Sequence, residues 1–154
     1  MRDMTTTDDL SEVLSKTKPG EVGTFLDENK ARMYTSERPF PAYMRTQIEQ
    51  TGQRRQDIFL AAVIPERYGY KLLSGEKHTR RRDVIVRLCL GARFGLHETQ
   101  TALQLYGFSP LYARVPRDAV LMAAVNARVG SAEAADALLR ENGLEPLCPC
   151  GAEE

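Results

Sequence analysis

The sequence has no tryptophan, only two histidines and three cysteines in 154 residues, and a formal net charge of zero. Its uninterrupted apolar runs, such as Phe59 to Ile64, are too short for a transmembrane helix. The N-terminal stretch is polar and acidic, without the apolar centre of a signal peptide. We therefore expect a cytoplasmic protein that contacts no membrane. Its length suits a core formed without disulfides or metal.

Motifs that carry common catalytic chemistry are also missing from the sequence. There is no phosphate-binding G-x-x-x-x-G-K-[ST], no dinucleotide-binding G-x-G-x-x-G, no H-E-x-x-H and no nucleophile elbow. We therefore expect no catalytic residues, no cofactor and no identifiable small-molecule substrate.

The cysteines give little support to a metal site. Cys148 and Cys150 form a C-x-C pair, but a metal would need two more ligands, and His78 and His97 lie far away in sequence. We interpret the pair as free thiols in a frayed tail, with a metal site as the alternative. Cys89 lies on an apolar helical face, which predicts a small core residue.

Positive charge is concentrated in one part of the chain. Residues 51–93 contain ten Lys and Arg against four Asp and Glu, whereas residues 94–154 contain four against eight. A basic segment of this kind is typical of phosphate binding, and a solvated basic surface is the alternative interpretation.

Apolar spacing predicts helices throughout, and hence an all-α protein. We divide it into short N-terminal helices and a linker (1–41), a five-helix segment (42–107), and a C-terminal helical hairpin with a flexible tail (108–154). The first part contains a short helix that Asp8 or Asp9 is expected to cap and a second predicted helix from Gly23 to Met33. The helices of the other two parts cover about 42–50, 55–62, 66–73, 80–94, 96–105, 116–128 and 131–142. Thr79 is the predicted N-cap of the helix over 80–94.

The chain is organised around residues 53–79. Two predicted helices, about 55–62 and 66–73, are separated only by Val63-Ile64-Pro65, so they must cross steeply, as in a helix-turn-helix. Gly75 follows where a left-handed C-terminal turn is expected. Tyr68 and Tyr70 cannot share one helical face, and we expect Tyr70 to be the exposed one.

Residues Tyr43 to about Tyr106 resemble the DNA-binding domain of the phage-repressor and Cro superfamily, the XRE-type regulators. Apolar Ile58, Ile64 and Leu72 occupy positions that this motif requires, and Ser74-Gly75-Glu76-Lys77 is similar to the usual ending of its recognition helix. Arg67-Tyr68-Gly69-Tyr70 resembles a narrower group of bacterial repressor-like proteins.

Four residues depart from the family pattern at the joint between the two helices. Phe59 replaces a small residue and Gly69 a branched apolar one, so the ring could fill the space that the glycine leaves. Val63 replaces the usual glycine of the turn, where a left-handed backbone would be strained. Pro65 replaces a capping Ser or Thr, which forgoes about 1 kcal/mol of capping but suits a helix start.

The resemblance implies sequence-specific binding of double-stranded DNA by a bacterial transcriptional regulator, with the second helix of the pair in the major groove. Position by position, it implies base contacts from Glu66, Arg67, Tyr70 and Lys71. It implies phosphate contacts, which position the protein without reading sequence, from Arg54, Arg55, Lys77, His78, Arg80, Arg81 and Arg82.

The C-terminal hairpin is acidic and rich in alanine, and two interpretations remain open for it. It could add core packing, or it could provide the surface of a homodimer that covers two half-sites. A different function is also possible: a protein-interaction module that keeps the repressor-like fold without binding DNA.

Overall fold

In the computed structural model, which describes residues 7–33 and 38–150, these residues form nine α-helices and two 3₁₀ turns and contain no strand. The predicted all-α class is confirmed. No helix in the described ranges is long and apolar enough to cross a membrane. The chain divides into two compact units, Met1–Glu37 and Arg38–Glu154.

The first unit contains α1 (Thr7–Ser15) and α2 (Val22–Glu28), with 3₁₀ turns at Pro19–Glu21 and Lys30–Arg32. Asp8 and Asp9 lie in the first turn of α1, not before it. The second helix ends well before the predicted Met33. Asn29 causes this end, because both its side-chain amide and its backbone N–H donate to the Phe25 carbonyl.

The second unit contains seven helices, and their positions follow the predicted order closely. They are α3 (Pro39–Thr51), α4 (Arg55–Ala62), α5 (Glu66–Ser74), α6 (Arg82–Gly91), α7 (Leu96–Tyr106), α8 (Pro116–Asn126) and α9 (Ala132–Glu141). The third helix starts at Pro39, inside the predicted linker, because proline is well suited to the first helical turn. Residues 34–37 of that linker lie outside the described residues.

Helix α6 is shorter than predicted at both ends. Thr79 does not cap it: the Thr79 hydroxyl accepts from the Arg81 N–H at 3.1 Å, and the Thr79 N–H donates to the Tyr106 hydroxyl at 2.6 Å. The capping position belongs to Arg81. At the other end, Arg93 takes a left-handed conformation (φ 57°), which stops the helix before the predicted Phe94.

One hydrophobic core runs through the second unit. It includes Met44 of α3, Ile58 of α4, Leu88 of α6, Leu121 of α8 and Leu139 of α9, all with at most 1% of their surface exposed. The segments predicted as 42–107 and 108–154 therefore share a core and belong to one compact unit. Packing of α8 and α9 into this core supports the interpretation that the C-terminal hairpin adds core packing.

The cysteines differ in their surroundings. Cys89 is fully buried as predicted, and burial raises the pKa of its thiol to about 12. Cys148 and Cys150 are half-buried, pack against the core and form no disulfide within the described part of the chain. As far as Cys148, the interpretation of the tail as frayed is wrong, because side chains of α6 hold its backbone by hydrogen bonds. Within the described residues no group of three or more His, Cys, Asp or Glu side chains could hold a metal.

Candidate nucleic-acid interface

A three-residue turn joins α4 to α5 and sets the position of the candidate interface. Val63 has left-handed backbone angles (φ 54°, ψ 52°), as expected from its position in the turn. A β-branched residue is strained in this conformation. Ile64 is 5% exposed and its N–H donates to the Phe59 carbonyl, which ties the turn back to α4.

Phe59 of α4 and Gly69 of α5 contact each other where the two helices pack. A Cβ atom placed on Gly69 would lie 2.5 Å from two carbons of the Phe59 ring, closer than real side-chain contacts allow. The predicted complementarity of the two residues is confirmed, because the ring occupies the space beside the glycine. The α5 backbone therefore packs directly on an aromatic ring, and any side chain at position 69 would force the helices apart.

Helix α5 has one buried and one exposed face. Tyr68, Gly69 and Leu72 are buried in the core, and the left-handed Gly75 (φ 83°) ends the helix as predicted. The four predicted base-contact residues lie on the other side: Glu66, Arg67 and Tyr70 are exposed and Lys71 is half-buried.

Tyr70 is held in place although it is exposed. Its ring meets the Phe59 ring edge to face, with centroids 5.0 Å apart. Tyr68, by contrast, is only 4% exposed, so the predicted division between the two tyrosines is confirmed. The contact with Phe59 fixes the orientation of the Tyr70 ring, and 41% of the Tyr70 surface remains exposed to a partner.

The predicted phosphate contacts fall into different environments. Lys77 and Arg80 are exposed, and Arg55 is half-buried at the start of α4. Arg54 is exposed but forms an ion pair with Asp57 at 3.0 Å. His78 stacks on the Tyr106 ring with centroids 4.4 Å apart, which fixes its orientation at the surface.

Arg81 and Arg82 point toward the C-terminal part of the chain. Arg81 donates to the Pro149 carbonyl at 3.4 Å, and Arg82 forms an ion pair with Asp118, which is only 3% exposed. Arg82 also donates to the carbonyls of Ser109 and Pro110. These contacts give Arg82 a structural role in place of the predicted phosphate contact, because its charge compensates a buried carboxylate.

Two further side chains of the basic segment, Asp83 and Arg87, hold the C-terminal tail. Arg87 is 6% exposed and donates to the carbonyls of Ala62, Leu147 and Cys148 at 2.8–3.2 Å. Asp83 accepts two hydrogen bonds from Arg117 and one from the Cys148 N–H.

These contacts also change the acidity of Asp83. Burial alone would raise the pKa of the Asp83 carboxyl. Hydrogen bonds from Arg117 and the Cys148 N–H, together with the charges of Arg117 and Arg82, outweigh burial and hold the pKa below its ordinary value. The ion pair is therefore present across the neutral range.

Sequence reasoning missed Arg45, which lies on α3 outside the basic segment. Arg45 lines a groove together with Arg55 and Tyr70, so the positive surface near α5 extends onto α3. Arg38 is close to the same place and donates to the Ser74 carbonyl at 3.3 Å. No local pattern distinguishes these two arginines from other surface arginines; only the packing of α3 beside α5 brings them to this surface.

In comparisons with known proteins, no family model, no curated protein sequence and no solved structure matches the chain.

Proposed function

We propose that this protein binds double-stranded DNA through the exposed face of α5 and regulates transcription in a bacterial cell. In this proposal α3 to α7 act as a repressor-like helix-turn-helix domain, with α5 as the recognition helix. The α4–α5 joint of only three residues supports that assignment.

The observation that carries the proposal is that the two cations of α5 face away from the core and are not used in ion pairs with other described residues. Arg67 and Lys71 lie on the face opposite the core, and within the described residues neither has an ion-pair partner. Arg67 can donate two hydrogen bonds to guanine, and Glu66 beside it can accept from cytosine. Tyr70 adds an aromatic contact on the same face. Together, these four side chains of α5 provide positive charge and the hydrogen-bonding groups that distinguish one base from another.

A homodimer is part of the proposal, because a single recognition helix covers only one half-site. The outer surfaces of α8 and α9 are candidates for its interface, since only their inner sides are used by the core.

A protein-interaction module is the second candidate function, and one observation favours it. Leu60 on α4 is 80% exposed and Val63, three residues later, is 47% exposed. This apolar pair lies beside the helix joint and would suit a protein surface better than a phosphate backbone.

The two functions differ in their response to salt. We expect the protein to bind random-sequence duplex DNA, with log affinity falling linearly with log salt by about 0.9 for each phosphate neutralised. Fluorescence anisotropy of a labelled duplex at several salt concentrations measures this slope. No binding at the lowest salt would reject the DNA proposal and leave the protein-interaction candidate.

A further inference from the structure

A groove of about 370 Å³ runs between α3 and α5 and reaches the start of α4. Pro41, Ile48 and Leu73 supply its apolar surfaces, and Tyr70 and Ser74 supply hydroxyl groups. Its size is within the range of ligand-binding clefts. The three contributing helices pack on the common core, so the groove is formed by fixed elements.

The charged side chains that line the groove are all positive. Arg45 and Arg55 line it, and no carboxylate does. Glu49 lies one helical turn after Arg45, yet no ion pair joins them, and within the described residues neither arginine has a salt-bridge partner. Two uncompensated cations on one groove repel each other, and an anion bound between them would relieve that repulsion.

We propose that this groove is a phosphate-binding site, with Arg45 and Arg55 as its two cations. The planar guanidinium group matches the oxygens of a phosphate and can form two parallel hydrogen bonds to it. The hydroxyl of Tyr70 is a further donor at the same groove, whereas the Ser74 hydroxyl already donates to the Lys71 carbonyl at 3.2 Å. Its apolar surfaces suit the sugar that a phosphate diester carries, which bare inorganic phosphate lacks.

The phosphate comes from a DNA strand, and this part of the inference rests on the proposed function. Arg55 and Tyr70 belong both to the groove and to the surface proposed to bind DNA, so a strand beside α5 would place a backbone phosphate there. Arg45 then becomes a phosphate contact on α3, outside the helix-turn-helix pair. A free phosphorylated small molecule offers the same chemistry and is the other source to test.

Arg45→Gln tests the inference, with Arg114→Gln as the matched control. Both arginines are exposed and both substitutions remove one positive charge. Arg114 lies in the turn before α8, outside the surfaces proposed to bind DNA and outside the α8 and α9 helices proposed for the dimer. Duplex affinity is measured at several salt concentrations for the wild type and both variants. In parallel, thymidine 5′-monophosphate is added to the wild type while the side-chain Nε–H signals of the arginines are followed by NMR.

We expect Arg45→Gln to lose about tenfold in duplex affinity and about one unit of salt slope, and Arg114→Gln to stay close to the wild type. Equal duplex binding by both variants, with shifts of the Arg45 and Arg55 signals on adding the nucleotide, would assign the groove to a free phosphorylated ligand. Equal binding without such shifts would overturn the site. Failure of the wild type to bind any duplex rejects the proposed function, and the NMR titration then decides the groove alone.

Discussion

The arginines around α5 and those around α6 come from the same basic stretch of sequence but have opposite roles in the structure. Arg55 and Arg67, near α5, have no ion-pair partner among the described residues. Arg82 and Arg87, on α6, are bound to Asp118 and to three backbone carbonyls. Free cations remain available to an external anion, whereas bound ones hold the fold together.

This difference revises the meaning of the charge distribution. The excess of positive charge in residues 51–93 suggested one phosphate-binding surface. Part of that excess is neutralised within the protein, because Arg82 pairs with an aspartate from the acidic C-terminal part. The count of charges in a segment therefore overestimates the charge that a partner would meet.

Arg87→Ala tests the structural side of the comparison and should have the largest effect. Its three acceptor carbonyls would be left in a largely buried site, and we expect a loss of about 3 kcal/mol or more in unfolding free energy. Urea denaturation measures it. Arg140→Ala, on the exposed surface of α9, is the control and should cost little. Equal losses for the two variants would contradict a structural role for Arg87.

Asp83→Asn should have an intermediate effect that depends on pH. The folded-state pKa of Asp83 lies below its unfolded value, so the pair stabilises the protein above the ordinary aspartate pKa of about 3.9. This contribution is lost as pH falls through the folded-state pKa. We expect the variant to be about 2 kcal/mol less stable at neutral pH.

Thermal unfolding of the wild type and of Asp83→Asn across the acidic pH range tests the direction of this pH dependence. The difference between their melting temperatures should shrink as the pH falls below about 4 and be smallest below the folded-state pKa of Asp83, where both chains lack the charge. A difference that is constant with pH would show that the Asp83 charge contributes nothing.

Local patterns predicted the helices and the joint between α4 and α5. The spacing of Tyr68 and Tyr70 was sufficient to show that they could not share one helical face, and the sizes of Phe59 and Gly69 suggested their contact. Both of these predictions depend on residues that are neighbours within one or two helical turns or across a short connection. Sequence spacing largely determines geometry over such distances.

Long-range partners could not be predicted in the same way. Arg82 meets Asp118 and Arg87 meets Leu147, residues 36 and 60 positions away along the chain. Nothing near Arg82 in the sequence distinguishes it from Arg80, which is exposed. Arg45 was missed for the related reason that its groove exists only once α3 packs beside α5.

Arg67→Ala tests the central claim most directly and should have the smallest effect on stability. Arg67 is exposed and has no ion-pair partner among the described residues, so the melting temperature should match that of the wild type. A preferred duplex is first obtained by selection with the wild type, and affinities for it and for random duplex are then compared. We expect the variant to lose about 1–3 kcal/mol of preference for the selected sequence. An unchanged preference would contradict the claim that α5 reads DNA.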